Sequence, residues 1–164
     1  MSGVVVRPAV PGEGDEIGVL TERAYRDDGF IDAQYSLELL DGAARVREAT
    51  VLVAVVGDRL AGSVTIAAPG TPYAEICGRD EVEVRMLSVA LHARRQGIAD
   101  RLMDGVEAHA RGQARAGVVL STARSMRAAH RLYERRGYRR RPDRDWAVDR
   151  LPLLVYRLDL PAPG

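Results

Sequence analysis

The chain has 164 residues, 46% of them hydrophobic and 29% charged, which suits one globular domain (1–164) with a real core. No apolar run reaches 18 residues and Met1-Ser2-Gly3 leads straight into a strand, so neither a membrane span nor a signal peptide is expected; the expected location is cytoplasmic. Cys77 is the only cysteine, which excludes a disulfide framework and a thiolate cluster, and His92, His109 and His130 lack ligand spacing, so no metal is expected. The net charge of +1 hides an asymmetry: residues 1–60 hold 6 Arg against 11 acids, and the remainder holds 18 Arg against 12. Such a chain suits a cationic partner at its acidic end and an anionic one elsewhere.

Val4 to Arg7, followed by Pro8, reads as a first strand, closed by the turn Pro11-Gly12. Asp15 is a plausible N-cap for a helix whose apolar face is Ile17, Leu20 and Ala24. The segment Tyr25 to Tyr35 interrupts that periodicity with Gly29 and sets three aromatics, Tyr25, Phe30 and Tyr35, among acids; a second helix follows over roughly Ser36 to Glu48. Thr50 to Val56 and Leu60 to Ala67 form a hairpin across Gly57-Asp58. The Pro- and Gly-rich loop Ala68 to Asp80 is the segment expected to be most mobile.

The stretch from Glu83 to Val106 carries the chemistry. A strand over Val82 to Leu91 enters the basic turn HARRQGIA and then an amphipathic helix with Ile98, Leu102, Val106 and Ala110 on one face. The first backbone N–H groups of such a helix lack partners and sit at the positive end of its dipole, which makes an anion site. Gly97 and the small Ala99 allow a phosphate close to the backbone, and Arg94 and Arg95 add charge. There is no G-x-x-x-x-G-K-[ST] and no G-x-G-x-x-G, so the turn belongs to neither of those phosphate loops.

Val118 to Thr122 reads as a buried strand, followed by a helix from about Met126 whose Ala129, Leu132 and Tyr133 face inward and which Gly137 ends. Leu153 to Leu158 is a last strand, and the tail Pro161 to Gly164 is expected to fray. Arg135 to Arg144 holds six Arg with Tyr138 interleaved, a composition that also invites a nucleic-acid reading. The run coincides with a helix end and a strand start, and aromatics are only 5% of the chain, so nucleic acid is the minor alternative. Asp143 to Trp146 reads as a surface loop.

Arg94-x-x-Gly97-x-Ala99 after Met86-Leu87-Ser88-Val89 resembles the acetyl-CoA signature of the GCN5-related N-acetyltransferase (GNAT) superfamily. The segment Ala129-x-x-Leu132-Tyr133-Glu134-x-x-Gly137-Tyr138 resembles that family's second hallmark, and together they extend the likeness over about residues 4 to 158. The resemblance implies an α/β GNAT fold: a mixed, mostly antiparallel sheet of six to seven strands, splayed between strands 4 and 5 and flanked by about four helices. It implies acetyl-CoA as co-substrate, held by Leu87, Ser88, Val89, Arg94, Arg95, Gln96, Gly97, Ile98, Ala99, Asp100, Met126 and Tyr133. The family's usual Asn is Met126 here, so its hydrogen bond is lost, carried by water or supplied by Ser125.

By the same resemblance Tyr133 would protonate the CoA sulfur and Glu83 would be the base, with the backbone N–H of Leu87 or Val89 polarising the thioester carbonyl. Strand alternation puts Glu81, Glu83 and Arg85 on one face; the second acid would raise the Glu83 pKa and Arg85, a salt-bridge candidate, would lower it. Tyr25, Phe30, Tyr35 and Trp146 are the candidate acceptor contacts; the alternative reading is that the first three cap the core and that Trp146 covers the sheet. The expected activity is direct transfer of acetyl to a primary amine on a small molecule or peptide, and a homodimer is compatible with it. A catalytically silent CoA-binding regulatory module is the alternative.

Overall fold

The computed structural model describes residues 3–30 and 32–162. Eight strands make one sheet: β1 (Val4–Pro8), β2 (Thr50–Val56), β3 (Arg59–Ala67), β4 (Glu81–Val89), β5 (Gly117–Ala123), β6 (Arg139–Arg140), β7 (Trp146–Val148) and β8 (Leu151–Asp159). Their order is β1-β2-β3-β4-β5-β8-β6, with β7 paired to β8 off that path. All pairings are antiparallel except β4 with β5. The helices are α1 (Gly14–Asp27), α2 (Ala33–Leu40), α3 (Gly42–Glu48), α4 (Ile98–Gly112) and α5 (Arg127–Arg135).

Two apolar clusters sandwich the sheet. Leu102, Met103, Val106 and Ala110 of α4 and Leu132 and Tyr133 of α5 pack with Leu52, Val64, Val84 and Leu120, while Ile17 of α1 packs with Val51, Val53 and Leu60. The single helix expected over 36–48 is two helices, because Asp41 leaves helical geometry (ψ 64) and caps α3 through the Ala44 N–H at 3.1 Å. α1 begins two residues earlier than the Asp15 cap implies, with Glu13 in the cap position, since the 3₁₀ turn Pro11–Glu13 runs into it. Gly14 and Gly18 lie on the face of α1 packed against the junction of α2 and α3. A β-carbon on Gly18 would collide with the Leu40 carbonyl, and one on Gly14 would lie 2.6 Å from the Ala43 Cα. Gly18→Ala is therefore expected to push the helices apart and destabilise by about 1–3 kcal/mol, read as a lowered chemical-denaturation midpoint.

The strand start expected within 135–144 is the two-residue β6, whereas β7 was not legible as a strand, and Pro142–Arg144 is a 3₁₀ turn leading into it where a surface loop was expected. The expected fraying of the tail falls, for Pro163 and Gly164, outside the described residues; Pro161 and Ala162 are exposed. Five of the six Arg in the 135–144 run have carboxylate partners: Arg135 and Arg136 with Asp100, Arg140 with Asp145, Arg141 with Asp143, and Arg144 with Glu81. Arg136 also meets Asp104 at 2.6 Å and Glu107 at 3.1 Å, and the Tyr138 hydroxyl donates to Glu107 at 3.1 Å. This network ties the end of α5 to α4. Arg136→Ala would strand the nearly buried Glu107 carboxylate, and a loss of about 3–5 kcal/mol of folding stability is expected by denaturant titration.

Glu81 closes the other end of the sheet. It is almost fully buried, yet accepts from Arg144 (2.8 and 2.9 Å), Arg157 (2.6 Å) and the Gly78 N–H (2.9 Å). Burial alone would raise its pKa, but those donors outweigh it and hold the carboxyl at about 2, against an ordinary 4.5. A carboxyl depressed in the folded state stabilises the fold above its unfolded pKa. That contribution is expected to fade as pH falls from about 4.5 to about 2 and to be absent in Glu81→Gln, as pH-dependent melting would read.

Candidate active site

β4 and β5 pair only over Glu81–Val84 with Gly117–Leu120. Beyond that point both strands continue without facing each other, so a gap opens in the middle of the sheet. A bulge in β4 sharpens it: between Ser63↔Ser88 and Thr65↔Arg85, two steps on β3 face three on β4, and Met86 takes φ 56. A left-handed, buried methionine is a strained residue held in place by its surroundings, and such residues cluster at functional sites.

The gap belongs to a cavity of about 900 Å³. One end is the N-terminus of α4. Its N-cap is Gly97 at φ 71, a conformation that costs glycine little, and a β-carbon there would meet nothing within 4 Å. The N–H groups of Ile98, Ala99 and Asp100 precede the first intrahelical bond, and among the described residues nothing accepts from them. Open space beside free amides at a helix N-terminus fits a pyrophosphate. Arg94 lines this end but is committed, its Nε donating to the Val89 carbonyl at 2.9 Å and its guanidinium lying 3.6 Å from Asp28. Arg95, at φ 66, has no carboxylate partner among the described residues. Gln96 is exposed and lies outside the cavity lining. The Asp100 side chain turns away to Arg135 and Arg136, so only its backbone is available to a ligand.

The middle of the cavity is lined by Leu87, Ser88 and Val89 on one side and by Ala123, Met126, Ala129 and Tyr133 on the other. The Ser88 hydroxyl is taken by Thr21 of α1 at 3.3 Å. Ser125 is exposed and absent from the lining, so it does not stand in for the Asn that Met126 replaces. α5 ends in a Schellman motif, with the Tyr138 N–H on the Tyr133 carbonyl (2.9 Å) and the Gly137 N–H on that of Glu134 (3.1 Å); Gly137 has φ 92. The turn fixes Tyr133, whose ring leans on Tyr138 and Tyr156 at 5.6 and 6.2 Å. No neighbour among the described residues hydrogen-bonds its hydroxyl, and burial pushes its pKa well above the tyrosine value.

The far end is a chamber of aromatics and acids. Tyr25 packs edge-on against Phe30 and Tyr35, each at 6.0 Å, and all three line the cavity. Four carboxylates belong to this end: Asp32, which caps α2 beside Tyr35, Glu38 and Glu75 beside Arg85, and Glu83 under the Glu75 amide. Trp146 lies outside the lining. Its indole N–H donates to Ser121 at 2.8 Å, and its place in the wall goes to Val148, Leu151 and Leu153 of the same hairpin.

Glu83 and Arg85 do not pair with each other. Glu83 Oε1 accepts three consecutive N–H groups, from Glu75 (2.7 Å), Ile76 (2.9 Å) and Cys77 (3.1 Å), while Arg85 reaches Glu75 (3.2 Å), Glu38 (3.6 Å), the Tyr73 carbonyl (3.3 Å) and the Tyr35 hydroxyl (3.5 Å). The expected mobile loop is therefore pinned where it passes the site, also by Arg144 on the Ile76 carbonyl at 2.8 Å. Burial raises the Glu83 pKa against the pull of the amides. Burial and the two nearby glutamates push the Cys77 thiol up to about 12, which leaves it a poor nucleophile. Sequence reasoning missed Glu75 and Glu38, which carry no motif of their own, and Arg131, a lining Arg without a carboxylate partner among the described residues.

No group of His, Cys, Asp and Glu among the described residues could hold a metal, and no helix there is long and apolar enough to cross a membrane. The fold and its open sheet recur in solved structures. An acetyltransferase of the GNAT family from Staphylococcus aureus Mu50 is similar at TM-score 0.76 and 14% identity, covering 97% of this chain and 100% of its own. The PaiA N-acetyltransferase from Thermoplasma acidophilum, solved with coenzyme A, is similar at 0.75 and 10%, covering 96% and 99%. YncA from Salmonella typhimurium, solved with acetyl-CoA, is similar at 0.69 and 19%, covering 99% and 97%. No curated protein sequence matches the chain. Residues 15–138, which run from the first turn of α1 to the Schellman turn after α5, match the acetyltransferase (GNAT) family, and the chain belongs to that family.

Proposed function

We propose that the chain, acting as one catalytic domain, transfers acetyl from acetyl-CoA directly to the nitrogen of a primary amine. The observation that carries this reading is the continuity of the cavity, which runs from the free amides of α4, through the β4–β5 gap past Tyr133, to the acid-lined chamber. The pyrophosphate would rest on Ile98 to Asp100 with Arg95 beside it, and the pantetheine arm would lie along Leu87 to Val89, where a backbone N–H polarises the thioester carbonyl. Tyr133 donates to the departing sulfur. Burial keeps its phenol protonated across the neutral range, so the donor is always loaded. Acetyl-CoA supplies the activated acyl group. The reading puts the protein in the cytoplasm, where that thioester is available.

The acceptor end holds four carboxylates, Asp32, Glu38, Glu75 and Glu83, against Arg85, so a cationic amine is favoured over an anionic one. Thiol release from acetyl-CoA across a panel of amines, amino acids and peptides tests the reading. Activity is expected with cationic acceptors, and kcat/KM is expected to fall as salt rises, since exposed attraction is screened within about 10 Å at 0.1 M. A best acceptor that is anionic would overturn the electrostatic assignment. The nucleic-acid reading has little to stand on, because most of the Arg run is neutralised within the fold.

A further inference from the structure

We infer that Glu75, on the β3–β4 loop, is the general base of the transfer, and that Glu83 is the residue that positions it. The inference rests on the amine-acetylating reading above. Access separates the two carboxylates. Glu83 is 1% exposed, and one of its oxygens is filled by three amide donors. Protonating it would weaken the anchor that holds the loop against β4. Glu75 lines the same chamber with its side chain 34% exposed, and no neighbour among the described residues donates a hydrogen bond to it. Its nearest cation contact is Arg85 Nε, 3.2 Å from one oxygen.

The anchor and the base are mechanically linked, because the first of the three amides on Glu83 is that of Glu75 itself. Fixing the backbone at residue 75 fixes where its carboxylate enters the chamber, and Arg85 orients that carboxylate from β4. The charged and titratable groups facing Glu75 are Arg85 and Glu83 from β4 and Glu38 and Tyr35 from α2. Burial raises the Glu75 pKa, Arg85 opposes this and Glu38 adds to it, with a net rise that makes the group a better base near neutral pH.

The proton account closes. The acceptor ammonium gives one proton to Glu75, and the free nitrogen lone pair forms the C–N bond at the thioester carbonyl. As the C–S bond breaks, the second nitrogen proton passes through the Tyr133 hydroxyl to the sulfur. Glu75 then returns its proton to water. The products are the amide, CoA thiol and one released proton.

Glu75→Gln and Glu83→Gln decide the matter, assayed as kcat, KM and pH–rate profile on the best acceptor. Glu75→Gln is expected to cut kcat by about 10²–10⁴-fold, to leave the acceptor KM within a few-fold, and to remove the acid limb of the profile. Glu75→Asp should restore part of the rate together with the limb. In Glu83→Gln the amide oxygen still accepts the three loop amides, so a modest fall in kcat with the acid limb intact is expected. An acid limb that survives in Glu75→Gln, or that vanishes in Glu83→Gln, overturns the assignment while leaving the acetyltransferase reading untouched. A parent protein that binds CoA yet releases no thiol with any amine overturns that reading and the base with it.

Discussion

Tyr133→Phe should bind CoA and unfold like the parent yet lose about 10²–10⁴-fold in turnover. The ring sits between Tyr138 and Tyr156, and phenylalanine preserves that packing. Only the hydroxyl is removed. No neighbour among the described residues hydrogen-bonds it, so its loss should orphan no buried partner and cost little stability. The leaving thiolate, whose acid has a reference pKa near ~8.5, would then depart without a donor. Because burial lifts the phenol above the usual tyrosine value, its ionisation should add no falling limb to the parent profile below about pH 10. Turnover within a few-fold of the parent, with chemistry rate-limiting, would reduce Tyr133 to packing.

Gly97→Val should raise the CoA dissociation constant by at least about 100-fold, roughly 2.8 kcal/mol at 1.4 kcal/mol per decade. The cause is not an internal clash, since a β-carbon at Gly97 meets nothing within 4 Å. It lies in φ 71, which a β-branched residue tolerates poorly, and in the methyls placed where the phosphate oxygens would approach. Gly97→Asn is the useful contrast. Asparagine visits the left-handed region more readily, so its fold should hold and its affinity should fall between parent and valine. Calorimetric titration with CoA reads all three, and equal affinities would remove this turn from the pyrophosphate site.

The parts of the site legible in the sequence were the local ones. The turn Arg94 to Ala99 and the end of α5 at Gly137 are set by residues within one or two turns of each other, so spacing alone announces them. Glu83 was legible as a cavity carboxylate, but its hold on the 75–77 amides depends on how a loop folds back onto β4. Glu75 was invisible for the same reason. The bulge at Met86 depends on the register between β3 and β4, which no property of residue 86 records. The Arg run misled because its partners are remote: Glu107 lies 29 residues from Arg136, and Glu81 lies 63 from Arg144. Trp146 looked like an acceptor contact because β7 was read as a loop; paired with β8, it turns to Ser121 instead.

The central claim is that one cavity joins a CoA site to an amine site across the β4–β5 gap. Its most direct test is to incubate the protein with acetyl-CoA and a panel of amines, measuring free thiol and acetylated acceptor in the same sample. The expected result is thiol release that requires a cationic amine and matches the amide formed mole for mole. Thiol release that ignores the acceptor, or none at all from protein that binds acetyl-CoA, would contradict the account.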